Sequence, residues 1–150
     1  MADRVLFELV TPEELLVSTD VDMVVVPGTE GNFGVLPGHA PLISTIRPGT
    51  VDLYEGSTIT ERIFVVGGIA EVTPERCTVL ADEAMTPDSL DRAALDAELQ
   101  VIDGNLPTLR EHVARAAGTE YDRLAAELRH LERQASVARA KLQALAEAAH

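Results

Sequence analysis

The chain has 150 residues, of which 46% are hydrophobic and 25% charged, a composition typical of a folded protein with one ordinary domain or a small domain plus a helical module. Its formal net charge of −13 opposes binding to nucleic acid or to an anionic membrane surface, because both are negatively charged. Aromatic residues make up only 3% and Trp is absent, so the chain lacks an aromatic platform on which bases could stack.

The single cysteine, Cys77, cannot form an internal disulfide and has no second thiol with which to bind a metal. It alternates with Val79 and Ala81, so we predict a small buried strand residue rather than a reactive thiol. The first residues have neither the apolar core of a secretory signal nor the Arg/Ser-rich character of a transit peptide. No segment has the uninterrupted apolar length needed to cross a bilayer. We expect a soluble chain from a reducing compartment, associated with a membrane only through a partner.

Residues 1–86 follow the period-two pattern of strands. Val5, Phe7 and Leu9 alternate with other residues, and Val21, Met23 and Val25 alternate with Asp22 and Val24, which places each trio on one face. Turn signals recur at Pro27-Gly28, Gly31-Asn32, Pro37-Gly38, Pro48-Gly49, Glu55-Gly56, Gly67-Gly68 and Thr73-Pro74. Many short strands with regular turns and no helix signal predict an antiparallel β-sandwich or barrel.

Residues 87–150 change to the helical period. Asp88 or Ser89 is the predicted cap at the start of the first helix, and the chain breaks again at Gly118-Thr119. Apolar residues then recur by fours and threes along two seams: Leu95, Leu99, Ile102, Leu106, Leu109 and Val113, then Tyr121, Leu124, Leu128, Leu131, Ala135, Ala138, Leu142 and Leu145. Such seams indicate two helices that pack on each other. The fold class is therefore mixed, β then α: an N-terminal antiparallel β-sandwich (1–86) and a C-terminal antiparallel two-helix hairpin (87–150).

Two details refine the helical half. The sequence Asp103-Gly104-Asn105 favours a turn and Pro107 lacks a hydrogen-bond donor, so we expect a kink or a break there, with a new helix start near Asn105 or Leu106. Thr119 with Asp122 resembles a capping box for the second helix.

The sequence contains no recognisable metal-binding, phosphate-binding or dinucleotide-binding motif. The histidines His39, His112, His130 and His150 are scattered, with none at the spacing of a helical zinc site. The only lysine is Lys141, which rules out a phosphate-binding loop ending in Gly-Lys-Ser/Thr. Gly28, Gly31, Gly34 and Gly38 do not have dinucleotide-loop spacing and are interpreted as turn residues. We therefore expect no catalytic residues, no metal site and no cofactor.

Charge is divided unevenly. Residues 1–86 contain four basic and fourteen acidic groups, whereas residues 87–150 contain eight basic and eleven acidic groups. The helical half therefore holds most of the arginine. Its basic residues could meet an acidic partner or could belong to a solvated face of mixed charge. These residues are Arg123, Arg129, Arg133, Arg139 and Lys141.

The segment 28–43, GTEGNFGVLPGHAPLI, resembles the signature segment of ATP synthase epsilon subunits. Three further blocks agree in order and spacing: residues 46–49 (IRPG), 65–72 (VVGGIAEV) and 78–82 (TVLAD). The resemblance covers nearly the whole chain and ends in the two-helix module that the family also has. It implies a non-catalytic subunit of the rotary ATP synthase central stalk, which couples proton flow through the c-ring to ATP synthesis.

The resemblance also implies partners and contact residues. The loop that meets the c-ring corresponds to Glu30, Gly31, Asn32 and Phe33, although many relatives carry an acid in place of Asn32. The segment that lies near the gamma subunit corresponds to Gly38, His39, Ala40 and Pro41. The helical hairpin is the family's regulatory element, which can extend into the alpha/beta catalytic head and inhibit ATP hydrolysis. Its matching basic positions are Arg123, Arg129 and Arg133.

Some relatives bind ATP through a motif of the form [IL]-D-x-x-R-A at the start of the first helix. Here the segment is Leu90–Leu95, and Ala94 replaces the motif arginine. Loss of that charge-assisted phosphate contact predicts no ATP binding. Arg92 lies two residues away, about 200° around a helix, and cannot substitute.

Two alternatives remain open at this stage. The chain could be a coupling subunit without an inhibitory role, or a free-standing sandwich adaptor that dimerises through its helical seams. The Ala/Arg-rich composition favours a bacterial protein, peripheral on the cytoplasmic face of the inner membrane, although a plastid-encoded chain is not excluded.

Overall fold

The computed structural model describes residues 3–148 of the chain. These divide into two compact units that meet between Ser89 and Leu90. The first unit contains ten strands: β1 (Val5–Val10), β2 (Leu15–Val21), β3 (Met23–Gly28), β4 (Gly31–Val35), β5 (Leu42–Ile46), β6 (Gly49–Glu55), β7 (Thr58–Val65), β8 (Gly68–Val72), β9 (Arg76–Ala81) and β10 (Ala84–Met85). A short 3₁₀ turn, Pro87–Ser89, follows them.

The strands form one hydrogen-bonded sheet that folds into a sandwich. Its order is β10-β7-β6-β3-β5-β8-β9-β1-β2, with β4 paired to β3. A single residue pair, Gly28 with Ile46, joins β3 to β5. This narrow junction divides the sheet into two leaves, one of β10, β7, β6, β3 and β4 and the other of β5, β8, β9, β1 and β2. All described pairings are antiparallel except β1 with β9, which is parallel. The predicted fold class, a β-sandwich followed by a helical hairpin, is confirmed.

The inner faces of both leaves share one apolar core. Val5, Phe7 and Leu9 of β1 are fully buried, as the alternating pattern predicts. They cluster with residues of β3, β6, β8 and β9. Cys77 belongs to the same cluster and is fully buried, so its predicted structural role is confirmed.

Two predictions within the sandwich are wrong. The alternation predicted from Val21 to Val25 is interrupted: Val21 is buried and ends β2, the chain bends at Asp22, and in β3 Val24 and Val26 are buried while Met23 and Val25 are half-buried. The bend resets the alternation, so a pattern drawn across it assigns the wrong face.

Pro27-Gly28 is not a turn but the end of β3. The carbonyl of Pro27 faces β5 and accepts a hydrogen bond from Arg47 N at 3.0 Å. Beyond Val25 the strand no longer pairs with β6, so the missing N–H of Pro27 leaves no ladder bond unmade on that side. The turn lies two residues later, at Thr29-Glu30, and the predicted turn residues Gly31-Asn32 open β4.

The second unit is a pair of helices, α1 (Arg92–Arg115) and α2 (Gly118–Ala148). They run antiparallel, because Ala116 and Ala117 connect them directly and Ile102 and Leu106 pack against Ala135. The predicted seam residues are buried or half-buried, except Tyr121, which is 46% exposed. Neither helix of the described chain is long and apolar enough to cross a membrane.

The predicted helix boundaries need three corrections. The cap of α1 is Asp91, whose Oδ1 accepts from Ala94 N at 3.2 Å, and not Asp88 or Ser89. Of the kink or break expected near Pro107, the break is wrong, since α1 runs through Pro107 and no new helix starts at Asn105 or Leu106. Pro107 is exposed, so water can reach the carbonyl that its missing N–H leaves free. Finally, α2 begins at Gly118, so Thr119 lies inside the helix rather than capping it.

Candidate functional site

The β3–β4 hairpin ends in a tight turn, and we call residues 28–33 the hairpin tip. Gly28 pairs with Gly31 across the turn, so only Thr29 and Glu30 lie between the strands. Gly31 has φ +132°, a value that side chains rarely permit. A Cβ on Gly28 would lie 2.8 Å from the Gly31 carbonyl oxygen. The two glycines therefore make this close turn sterically feasible.

The hairpin tip is tied to the strand beside it. Thr29 N–H donates to the Thr45 carbonyl at 3.1 Å, and the hydroxyls of the two threonines are 2.9 Å apart. Arg47 adds two contacts: Nη1 donates to the Gly28 carbonyl at 2.5 Å and Nη2 to Asn32 Oδ1 at 2.6 Å. One side chain thus holds both strands of the hairpin.

The four residues predicted for the c-ring contact lie on this tip. Glu30, Gly31 and Asn32 are exposed, whereas Phe33 is half-buried and packs against the sandwich core. Phe33 therefore anchors the tip, while the other three present polar groups outward. Residues of the tip and residues 42–45 of β5 together line an open cleft of about 500 Å³.

The segment predicted to lie near gamma, residues 38–41, forms a loop before β5. Gly38 has φ +86° and donates its N–H to the Pro74 carbonyl at 2.8 Å, which fixes the loop to the β8–β9 turn. His39 Nδ1 lies 2.7 Å from the Ala40 carbonyl, so this nitrogen carries a proton. Ala40 and Pro41 are exposed. Residues 38–41 thus lead directly into the start of β5, while Thr45 and Ile46 at the end of β5 contact the hairpin tip.

The outer side of the leaf that contains β5 carries apolar side chains that the strand pattern did not single out. The register places Leu15, Val10, Leu80 and Ile69 in one row across β2, β1, β9 and β8. Leu15, Leu80 and Ile69 are 54%, 45% and 44% exposed. Ile43, on β5, is 74% exposed. We call these five residues the apolar face.

Such a surface is typical of a docking site, because folded monomers rarely expose contiguous apolar side chains. Sequence reasoning missed it because the runs 79–81 and 69–70 are apolar at consecutive positions, which is also the pattern of a strand buried on both sides. Only the exposure of these side chains in the structure separates the two cases.

The three arginines predicted for the inhibitory helix lie exposed on α2. Arg129 and Arg133 are four residues apart and share one side of the helix. Arg123 is six residues before Arg129, about 240° around the axis, and lines a cleft with His112, Arg115 and Glu120 at the interhelical turn. The structure therefore brings two of the three together and leaves the third beside the turn.

Two further side chains that could carry chemistry, those of Cys77 and Asp91, have structural roles. Burial raises the pKa of the Cys77 thiol to about 12. Among residues 3–148 no three His, Cys, Asp or Glu side chains are grouped to hold a metal ion. Asp91, the acid in the segment compared with the ATP motif, caps α1 through the N–H of Ala94.

Comparison with known proteins identifies the sandwich. The family model described as "ATP synthase, Delta/Epsilon chain, beta-sandwich domain" matches residues 4–87. An ATP synthase epsilon chain of Rhodospirillum rubrum is 52% identical over 120 residues, covering 80% of this chain and 90% of the relative. One of Rhodospirillum centenum is 50% identical over 139 residues, covering 91% and 92%.

Solved structures share the fold at low identity. A chain in the cryo-EM structure of the Euglena gracilis mitochondrial ATP synthase (OSCP/F1/c-ring in rotational state 1) aligns with a TM-score of 0.66 and 18% identity, covering 100% of this chain and 84% of the other. A chain in the central stalk/c-ring structure of the Tetrahymena thermophila mitochondrial ATP synthase aligns with a TM-score of 0.56 and 17% identity, covering 94% and 96%.

Proposed function

The chain belongs to the family of ATP synthase delta/epsilon chains, and we propose that it serves as a non-catalytic part of the central stalk. In this role it couples proton flow through the c-ring to ATP synthesis. It is a subunit of a rotary enzyme, and its contribution is mechanical: it joins two other subunits that must turn together. The peripheral position on the cytoplasmic face of a bacterial inner membrane follows from those partners and belongs to the same proposal.

The observation that carries this proposal is the adjacency of two surfaces with different chemistry. The hairpin tip is polar, exposed and held by several hydrogen bonds, which suits contact with the polar loops of a c-ring. The apolar face, which includes Ile69 and Leu80, lies on the leaf whose strand β5 contacts the hairpin tip. An apolar surface of this kind suits a stable partner subunit, here gamma, together with residues 38–41.

A sandwich is well suited to transmit torque between two such surfaces. Its strands share one close-packed core, so a force applied at the hairpin tip reaches the apolar face without local unfolding. The non-catalytic role agrees with the reactive groups: the Cys77 thiol is buried, and His39 Nδ1 is engaged by a backbone carbonyl.

Binding to a reconstituted catalytic head that contains gamma tests the docking surface. Ile69→Glu places a charge on the apolar face beside Leu80, and we expect it to weaken binding at least about tenfold, as loss of a buried interface contact does. The matched control is Ser57→Glu, which adds the same charge to the exposed β6–β7 turn. Equal affinities of Ile69→Glu and the unchanged chain would refute the assignment of this face to gamma.

We further propose that the helical hairpin is the regulatory element. It forms a compact unit with its own apolar cluster, and Arg129 and Arg133 lie exposed on one side of α2. Paired cations on one side of a helix suit an acidic segment of the catalytic head.

ATP hydrolysis by the head with gamma tests this role. The full chain is expected to slow hydrolysis, and the double variant Arg129→Ala/Arg133→Ala to restore most of the rate while still binding. Arg76→Ala on the sandwich is the control for loss of positive charge. Binding without any slowing by the full chain would mean that the chain only couples. A stable homodimer with no binding to the head would instead favour the adaptor alternative.

A further inference from the structure

We propose that Arg47 is a positioning residue that braces the hairpin tip for its contact with the rotor ring. Its guanidinium donates to the Gly28 carbonyl at 2.5 Å and to Asn32 Oδ1 at 2.6 Å. Gly28 ends β3 and Asn32 belongs to β4, so one side chain spans both strands of the hairpin at the base of the turn. The inference rests on the proposed function in one respect, namely that this tip is the surface that meets the c-ring.

The surrounding block explains why the side chain points there. Ile46 pairs with Gly28, and Arg47 N–H donates to the Pro27 carbonyl at 3.0 Å. A Cβ on Gly49 would lie 2.9 Å from Pro27 Cβ. The block 46–49 therefore wraps closely around the end of β3. Because Arg47 precedes a proline, its backbone is restricted to extended conformations, which helps to direct the side chain across the hairpin.

The geometry requires arginine rather than any cation. The planar guanidinium presents several N–H donors in a fixed arrangement and can serve two acceptors on different strands at once. The lysine ammonium is a point charge on a flexible stem and is strongly hydrated, so it would hold one acceptor or alternate between the two. Both acceptors are oxygens of uncharged amides, so the brace does not depend on the ionisation of an acid.

The brace is separable from the rest of the fold. The turn also bonds to β5 through Thr29 and Thr45, and the Arg47 main-chain bond to Pro27 remains whatever the side chain is. Loss of the guanidinium should therefore loosen Glu30, Gly31 and Asn32 while the sandwich stays folded. A loosened tip holds the ring less firmly, so we expect the contact to slip under load and the ring to turn without the stalk.

The first experiment measures NMR backbone order parameters in the isolated full chain. The variants are Arg47→Gln and Arg47→Lys, with Arg76→Gln as the control, because Arg76 is a sandwich arginine on β9 whose side chain pairs with Glu8 at 3.4 Å and not with the hairpin tip. We expect the order parameters at residues 30–32 to fall from about 0.85 to below about 0.6 in Arg47→Gln, with Arg47→Lys intermediate and Arg76→Gln unchanged. Unchanged values in Arg47→Gln would overturn the brace.

The second experiment measures proton pumping per ATP hydrolysed by the reconstituted ATP synthase carrying the same variants. We expect at least a twofold lower ratio with Arg47→Gln, a smaller loss with Arg47→Lys, and no loss with Arg76→Gln. Thermal unfolding of each variant separates this effect from a general loss of stability. A loosened tip with an unchanged pumping ratio would overturn the c-ring contact of the proposed function, because the brace itself would then have been demonstrated independently.

Discussion

Gly68→Ala is the substitution with the most sharply defined steric consequence in this chain. Gly68 is the first residue of β8 and pairs with Ile46 on one side and Ala81 on the other. A Cβ there would lie 2.1 Å from the Leu80 carbonyl oxygen and 2.9 Å from Ala81 Cα. Both are backbone atoms of β9, so the strand itself has to move. In addition, Gly68 has φ +138°, which a residue with a side chain rarely adopts.

The expected cost follows from adding these two effects. Backbone strain at such a φ costs on the order of 1–3 kcal/mol, and forcing an extra carbon into a packed site costs a further 1–3 kcal/mol, roughly. We therefore expect Gly68→Ala to lower the free energy of unfolding of the sandwich by about 2–6 kcal/mol. That is a large share of the about 5–15 kcal/mol that a typical domain has.

Chemical denaturation of the full chain checks this value, with the sandwich followed by the amide signals of its strands, because the two compact units need not unfold together. Gly104→Ala is a matched control with the opposite sign. A Cβ on Gly104 meets nothing within 4 Å, and alanine in a helix is more stable than glycine by about 1 kcal/mol. A Gly68→Ala sandwich as stable as the unchanged one would refute the reasoning, and so would Gly104→Ala destabilising α1.

Three further predictions concern single side chains. Asp91→Ala removes the cap of α1 and should destabilise the helical unit by about 1 kcal/mol, which thermal unfolding followed by circular dichroism would detect against Asp88→Ala as the control. Arg139→Ala breaks the exposed pair of Arg139 with Asp103, 2.6 Å apart, and should lower the free energy of unfolding of the helical unit by no more than about 1 kcal/mol. Because salt screens an exposed pair, a loss above this value at high salt would contradict this view. The buried Cys77 thiol, with its pKa raised to about 12, should react with an aromatic disulfide at pH 8 only as fast as the sandwich opens, and rapid reaction of the folded protein would contradict burial. Since the unfolded thiol titrates near 9, the stability that this thiol contributes is complete below pH 9 and is lost as the pH rises toward 12.

The order of strands and helices could be predicted because each half keeps one period for long stretches. Alternation gives the inner face of β1, and the steps of four and three give the seams of α1 and α2. Cys77 could be assigned to the core for the same reason. The burial of these side chains depends on local periodicity, which the sequence contains in full.

Other features depend on tertiary neighbours and could not be predicted from local patterns. Pro27 remains in a strand because the neighbouring strand β6 has already left it. Pro107 remains in a helix because it lies on the exposed side of α1. In both cases the local sequence predicts an interruption, and in both the surrounding structure keeps the free-energy cost of the missing N–H low. The apolar face could not be predicted because a run of consecutive apolar residues does not show whether their side chains are exposed or buried.

The candidate site shows a different limit. From the sequence, the motif residues that point to the family are predicted to be turn glycines and contacts with partners. In the structure, Gly28 and Gly49 are required because other atoms approach too closely for a Cβ, and Gly68 for that reason and also for its φ. Arg47 reaches across 15 and 19 residues of sequence to Asn32 and Gly28. The separate blocks at 28–33 and 46–49 are thus one structural unit, in which the second block shapes and braces the first. Because that unit carries the exposed hairpin tip, a substitution in the second block should alter the tip without changing any of the residues proposed to contact the c-ring.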